Sequence, residues 1–173
     1  KEMRAFSRDP DRRAAFATDQ AHELGVRTVA SETAEEAVRG ADVVVTITTS
    51  RSPVLNAEWV EPHALVVAAG SNFPNRAEIP PDLVARAQTV VVDQLAAARL
   101  ESGDLMAAHQ AAKFDWERTV ELGAVLAGRW KRPEAPGITL FESHGLALWD
   151  LAAGSTVVAA ARERGMAEEV DLL

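Results

Sequence analysis

The sequence predicts an α/β protein organised as a doubly wound parallel sheet. Strand-like and helix-like segments alternate along most of the 173 residues. Three runs, ADVVVTITT (41–49), ALVVAAG (64–70) and TVVVD (89–93), are almost unbroken in β-branched and apolar residues. Strands buried on both faces of a parallel sheet read this way, whereas half-solvated antiparallel strands alternate polar with apolar.

The elements follow in order. MRAFS (3–7) reads as a strand, and Asp9-Pro10 opens an amphipathic helix over Asp11 to Leu24 that Gly25 stops. VRTVAS (26–31) is a second strand, with a short helix from Ser31 to Arg39 capped by Ser31 or Thr33 and ended by Gly40. The runs at 41–49, 64–70 and 89–93 follow, with helices over PPDLVARA and LAAARLES beside the last. From 103 to 137 the chain reads as helix-rich, most clearly in DWERTVELGAVLAG, before the Pro/Gly connector KRPEAPG. GITLFESHG (137–145) is one more strand, LALWDLAAGSTVVAAARERG (146–165) a long apolar helix, and MAEEVDLL a final strand. There is no internal repeat.

Composition narrows the function classes. A net charge of -8 disfavours a nucleic-acid binder, because affinity for phosphates rests on clustered Lys and Arg. The absence of Cys excludes disulfides, thiolate zinc sites and Cys nucleophiles, and His22, His63, His109 and His144 have no metal-ligand spacing. With no signal-peptide pattern and no apolar run of roughly 18 residues, the expected location is cytoplasmic, away from membranes. The chain opens on a strand-like segment without Met, which suggests a piece of a longer protein.

In open α/β sheets ligands bind beyond the carboxyl ends of the strands. Four such ends are candidates. Ser7-Arg8-Asp9 follows the first strand, where an acid favours a free ribose 2'-hydroxyl and an Arg a 2'-phosphate; Arg8, with Arg12 and Arg13 a turn later, is either a phosphate site or solvated surface. Thr48, Thr49 and Ser50 permit close approach of a ligand but are also ordinary turn residues. Gly70, Ser71, Asn72 and Arg76 crowd small, neutral and cationic groups behind a buried strand, which favours a ligand site. Glu142-Ser143-His144-Gly145 ends the last long strand, with His144 and Ser143 as readily capping residues as ligand contacts, and Glu101 and Asp104 are read as a solvated turn.

Taken together, ADVVVTITTSRSPVLNAEWVEPHALVVAAGSNFPNRAEIPPDLVARAQTVVVD, ELGAVLAGR and ITLFESHGLALWDLAA resemble the ornithine cyclodeaminase / mu-crystallin / archaeal-type alanine dehydrogenase family from about residue 3 to the end. The resemblance implies a Rossmann-like NAD(P)-binding domain over residues 1–143, lacking its first strand and Gly-rich loop, and a segment 144–173 that returns to a second domain for substrate and homodimer contacts. It implies an NAD(P)-dependent enzyme acting on an imine or amino acid, with NADP preferred. It places Ser7 and Arg8 at the 2'-phosphate, Thr48 on the loop passing the cofactor, and Arg76 and Ser143 near the nicotinamide end.

Asn72 falls where ornithine cyclodeaminases carry Asp, and Glu142 where relatives often carry Lys or Asp. Ring closure with loss of ammonia calls for a group that moves protons at the amine, and an amide does not titrate. The expectation is therefore a ketimine reductase or amino-acid dehydrogenase in which Asn72 holds the substrate. An ornithine-to-proline lyase and a non-catalytic cofactor-binding protein are the alternatives.

Overall fold

The structure is a computed structural model that describes residues 1–166, 168 and 170. Strand β1 (Glu2–Ala5) leads into α1 (Pro10–Leu24), whose first turn is held by Asp9: its carboxylate accepts the N–H groups of Asp11 and Arg12. Gly25 closes α1 at φ 61°, the left-handed cap expected of it. β2 (Arg27–Ala30) is followed by α2 (Ala34–Val38), capped by Thr33. β3 (Val43–Thr46) and β4 (Leu65–Ala68) flank a single 3-10 turn at Ala57–Trp59. Then come α3 (Pro81–Arg86), β5 (Ala87–Val92), α4 (Leu95–Glu101) and α5 (Gly103–Gln110). A second 3-10 turn, Trp116–Arg118, precedes β6 (Thr119–Glu121), α6 (Leu122–Leu126), β7 (Ile138–Glu142) and α7 (Ala147–Glu163).

All strand pairs are parallel. Five strands form one sheet in the order β3-β4-β7-β5-β6, and β1 and β2 pair separately. β2-β1 and β3-β4-β7 follow the sequence of strands 3-2 and 4-5-6 in the 3-2-1-4-5-6 order of a Rossmann sheet. The core lies on the covered face of the larger sheet, where Val66, Val90, Val92 and Leu140 meet Ile79, Leu83, Val84 and Leu105.

Two expectations change. Of the apolar runs only β5 is buried on both faces; β3 alternates, with Val44 and Thr46 inward and Val43, Val45 and Ile47 54%, 59% and 75% exposed. Hydrophobicity marks the residues that suit a two-sided strand without supplying the layer that covers them. DWERTVELGAVLAG is not one helix: Asp115 caps the 3-10 turn, and Thr119-Val120 then pair with Val90-Val91 of β5. Two residues, one of them β-branched and apolar, beside an open strand edge gain more from a ladder than from continuing a helix. The strand expected over MAEEVDLL falls largely outside the described residues.

Gly103, at the start of α5, sits so tightly on the loop after β4 that a Cβ there would lie 1.9 Å from the Arg76 carbonyl oxygen. Gly103→Ala is expected to destabilise the chain by about 1–3 kcal/mol. Gly123→Ala, in α6 with open space around it, should hold or gain a few tenths to about 1 kcal/mol. Urea unfolding of the two variants checks this; equal midpoints would refute the close-approach account.

Candidate functional site

The carboxyl ends of β3, β4 and β7 lie side by side because these strands are neighbours in register: Thr46 faces Ala68, and Ala68 faces Glu142. The chain remains knitted beyond the ladders. Ala69 N–H donates to the Thr46 carbonyl, and Ser143 N–H donates to the Ala68 carbonyl at 2.8 Å. Further out, Arg51 and Ala77 form a parallel bridge and Val54 N–H donates to the Glu78 carbonyl. Thr48, Thr49, Gly70, Ser71, Asn72, Arg76 and Ser143 therefore belong to one rim, as an α/β ligand site requires.

The rim presents neutral groups. Thr48 and Thr49 are exposed, and the Thr48 hydroxyl accepts the Ser50 N–H. The Asn72 amide is exposed and makes no hydrogen bond among the described residues. Ser71 Oγ is buried without a hydrogen-bond partner. The Arg76 guanidinium lies 4.8 Å from the centre of the Phe73 ring, which holds the cation over an aromatic face. Gly70 is required at its position for a reason internal to the protein: a Cβ would meet Thr48 N at 2.2 Å and a Glu78 oxygen at 2.6 Å.

Behind the rim stand carboxylates that the sequence did not single out as a group. Glu78 is fully buried; it accepts Thr48 N–H at 2.6 Å, Gly70 N–H at 2.8 Å and the Thr46 hydroxyl at 3.2 Å. Asp104, placed by the sequence on a solvated turn, is buried and accepts the N–H groups of both Glu78 and Ile79 at 2.8 Å. Asp93, at the end of β5, accepts the Ser143 hydroxyl at 3.2 Å and the N–H groups of His144 and Gly145 at 2.7 and 2.8 Å. It thereby orients Ser143, and with Gln94, Glu121, Gly123, Leu146, Ala147 and Leu148 it lines a cleft of about 430 Å³. Glu142 is buried beside Ser102, whose hydroxyl donates to it at 3.3 Å, and His144 Nε2 is 3.7 Å away. The available signal was the place of Asp93 and Glu142 at the last positions of strands; for Glu78 and Asp104 the sequence offers none.

At the end of β1, Ser7 Oγ accepts the Asp9 N–H and the Ser7 carbonyl accepts from Arg13, which also lies over the Phe6 ring. Arg12 pairs with Asp9 at 3.4 Å. Of the three arginines only Arg8 is exposed without a partner among the described residues.

Burial, with the negative charge of Glu78 nearby, outweighs two backbone hydrogen bonds and pushes the Asp104 carboxyl up to about 6. Burial and the neighbouring Asp104 also push Glu142 well above the usual range, and burial lowers His144. The unfolded chain loses the Asp104 proton near the ordinary value of 3.8 and the folded chain near 6, so this group costs stability as pH rises from about 4 to 6 and a constant amount above. Asp104→Asn keeps the accepting oxygen. It should abolish about 2–3 kcal/mol of that fall, seen as a flatter unfolding free energy between pH 4 and 6.5 than in the parent; parallel profiles would refute it.

The comparisons with known proteins agree with this geometry. The model of the Ornithine cyclodeaminase/mu-crystallin family matches residues 1–165. The chain is 45% identical over 115 residues to Delta(1)-pyrroline-2-carboxylate reductase 2 of Burkholderia ambifaria, covering 66% of this chain and 34% of that protein. It superposes with a TM-score of 0.92 and 26% identity on the Thermococcus litoralis Delta(1)-pyrroline-2-carboxylate reductase in complex with NADH and L-proline, over 98% of this chain and 53% of that one. With the iminosuccinate reductase of Paracoccus denitrificans in complex with NAD+ the TM-score is 0.89 at 31% identity, over 99% and 52%. The chain thus spans between a third and about half of these relatives. Its parallel Rossmann-like sheet, the strand-end rim and the match across nearly its whole length make it a member of the ornithine cyclodeaminase/mu-crystallin family.

Proposed function

We propose that this chain is the cofactor-binding part of an NAD(P)-dependent reductase that acts on the C=N bond of a small imine derived from an amino acid, or on the corresponding amine in reverse. The observation that carries this is the neutral rim: Thr48, Ser71, Asn72 and Ser143 converge at the carboxyl ends of three adjacent parallel strands; the resemblance to ornithine cyclodeaminases implies an acid at the place of Asn72. The named relatives, reductases of pyrroline-2-carboxylate and iminosuccinate, support the same class.

The residues suit a dinucleotide. The buried, unpartnered Ser71 hydroxyl and the free Asn72 amide offer neutral hydrogen bonds, and Ser143 is fixed by Asp93. When bound, the nicotinamide supplies the hydride. Asn72 then orients the substrate by hydrogen bonding without exchanging a proton, Ser143 is held toward the nicotinamide end, and Arg76 offsets the charge of a carboxylate or phosphate. Thr48, Thr49 and Gly70 would form the floor of the cofactor site.

NADP is the preferred cofactor in this reading. Asp9, the acid nearest the end of β1, already holds the start of α1, while Arg8 is free to meet a 2'-phosphate. In the same reading residues 1–143 would belong to the Rossmann domain, and the segment beginning at residue 144 would contribute to a substrate and homodimer domain. The exposure of Leu148, Trp149, Leu151, Val157 and Val158 along α7 supports such a contact. The cytoplasmic location expected from the sequence belongs to the same proposal; among the described residues no helix is long and apolar enough to cross a membrane.

The second reading, an ornithine cyclodeaminase-like lyase, draws on Asp93, whose Oδ1 lacks a hydrogen-bond partner at the cleft. Incubating the full-length protein with NADPH and a panel of cyclic ketimines separates the two. Cofactor oxidation is expected; none with any imine, together with proline and ammonia formed from ornithine, would establish the lyase. Arg8→Ala should weaken NADPH binding about tenfold or more, the worth of one charge-assisted contact, and leave NADH unchanged. An unaltered NADPH-to-NADH affinity ratio would remove the 2'-phosphate from Arg8.

A further inference from the structure

We propose that Glu78 is the positioning residue that sets the spacing between the two loops forming the floor of the cofactor site. The inference rests on the reading of those loops as cofactor-facing. Glu78 lies on the same loop as Gly70, eight residues further along the chain. Its backbone lies just before α3, and its fully buried carboxylate reaches back under both strand ends.

The geometry is that of a clasp. One oxygen accepts Thr48 N–H at 2.6 Å; the other accepts Gly70 N–H at 2.8 Å and the Thr46 hydroxyl at 3.2 Å. Thr48 and Gly70 are each two residues beyond their strands, where the ladder has ended and nothing in the sheet itself fixes the distance between the chains. A carboxylate is suited to this: it accepts at both oxygens, and a charged acceptor makes each N–H bond shorter and stronger. No side chain intrudes between, because Gly70 leaves no room for one.

The clasp is itself anchored. Asp104 accepts the N–H groups of Glu78 and Ile79, and the backbone of Glu78 accepts from Val54. Gly103 lets α5 close onto the Arg76 carbonyl, which fixes the other end of the same loop. Thus α5 holds Glu78, and Glu78 holds Thr48 to Gly70. A shift of the floor by a fraction of an ångström would misplace the contacts that Thr48 and Gly70 make to a bound cofactor.

The test uses the full-length protein with Glu78→Gln and Thr46→Val. Glu78→Gln keeps the shape but sets an NH2 against an N–H donor; Thr46→Val removes one donor and keeps a β-branched strand residue. The expected results, at a temperature where all are folded, are an NADPH dissociation constant raised about tenfold by Glu78→Gln and about two- to fivefold by Thr46→Val. At saturating cofactor the imine KM should stay within twofold. The Thr48 and Gly70 amide proton resonances should move upfield in Glu78→Gln as the charged acceptor is lost. A purely structural Glu78 would lower the melting temperature and leave the affinity of folded molecules unchanged. NADPH dissociation constants within twofold of the parent in both variants would overturn the proposal. If the parent protein binds neither NADPH nor NADH, the cofactor reading itself falls, and the clasp as a cofactor device falls with it.

Discussion

The insertion of β7 between β4 and β5 is the constraint on which the site depends. β7 is made some 70 residues after β4, yet it pairs with Leu65–Ala68 on one side and with β5 on the other. This pairing brings Ser143 against the Ala68 carbonyl and within reach of Asp93, and it buries Glu142 beneath the rim. Without it the ends of β3 and β4 would form only half of the rim. A parallel ladder between segments so far apart is an expensive closure in chain entropy. Val66, Val90, Val92 and Leu140, all fully buried, supply the apolar burial that offsets it.

Once β7 is in place, the carboxylates behind the rim divide by what they can accept. Glu78 and Asp93 each gather three donors from the chain around them, so their charge is spread into backbone N–H groups. Glu142 has one hydroxyl donor and Asp104 for a neighbour, and its remaining oxygen has no partner. Burial of a carboxyl with so few donors favours the protonated form. The neighbouring His144, with no hydrogen bond to either ring nitrogen, is likewise driven toward its neutral form by burial. Two groups that look ionic in the sequence are thus pushed toward neutrality.

Much of this architecture was legible in the sequence because it rests on local rules. The Asp9-Pro10 start, the Gly25 stop and the apolar runs at 41–49, 64–70 and 89–93 place α1 and three of the strands to within a few residues. The rim residues were legible too, since strand ends locate them in any α/β sheet. What escaped is non-local. β6 exists because β5 offers an edge, a fact absent from DWERTVELGAVLAG itself. Glu78 sits in AEIPP, where composition suggests only a helix start, and its role appears when the loop after β3 and the start of its own loop close over it. Arg12 and Arg13, equivalent to Arg8 in the sequence, are separated from it by contacts with Asp9, Ser7 and Phe6.

The electrostatic consequence bears on what the rim can hold. The chain carries a net charge of -8, and both a dinucleotide and an amino-acid-derived imine are anionic. An acid at position 72 would add repulsion where those charges must sit, and would have to be offset locally. With Asn72 at the surface, Glu142 buried and pushed toward its protonated form, and the Glu78 carboxylate bound into backbone donors, position 72 itself adds no negative charge to the rim. In the proposed reading Arg76, stacked on Phe73, and Arg8, at the far end, would then act on ligand charge in place of compensating protein charge. The same arrangement deprives the rim of a side chain at position 72 that could shuttle protons at an amine. Hydride transfer to a bound imine tolerates that loss better than ring closure with expulsion of ammonia does.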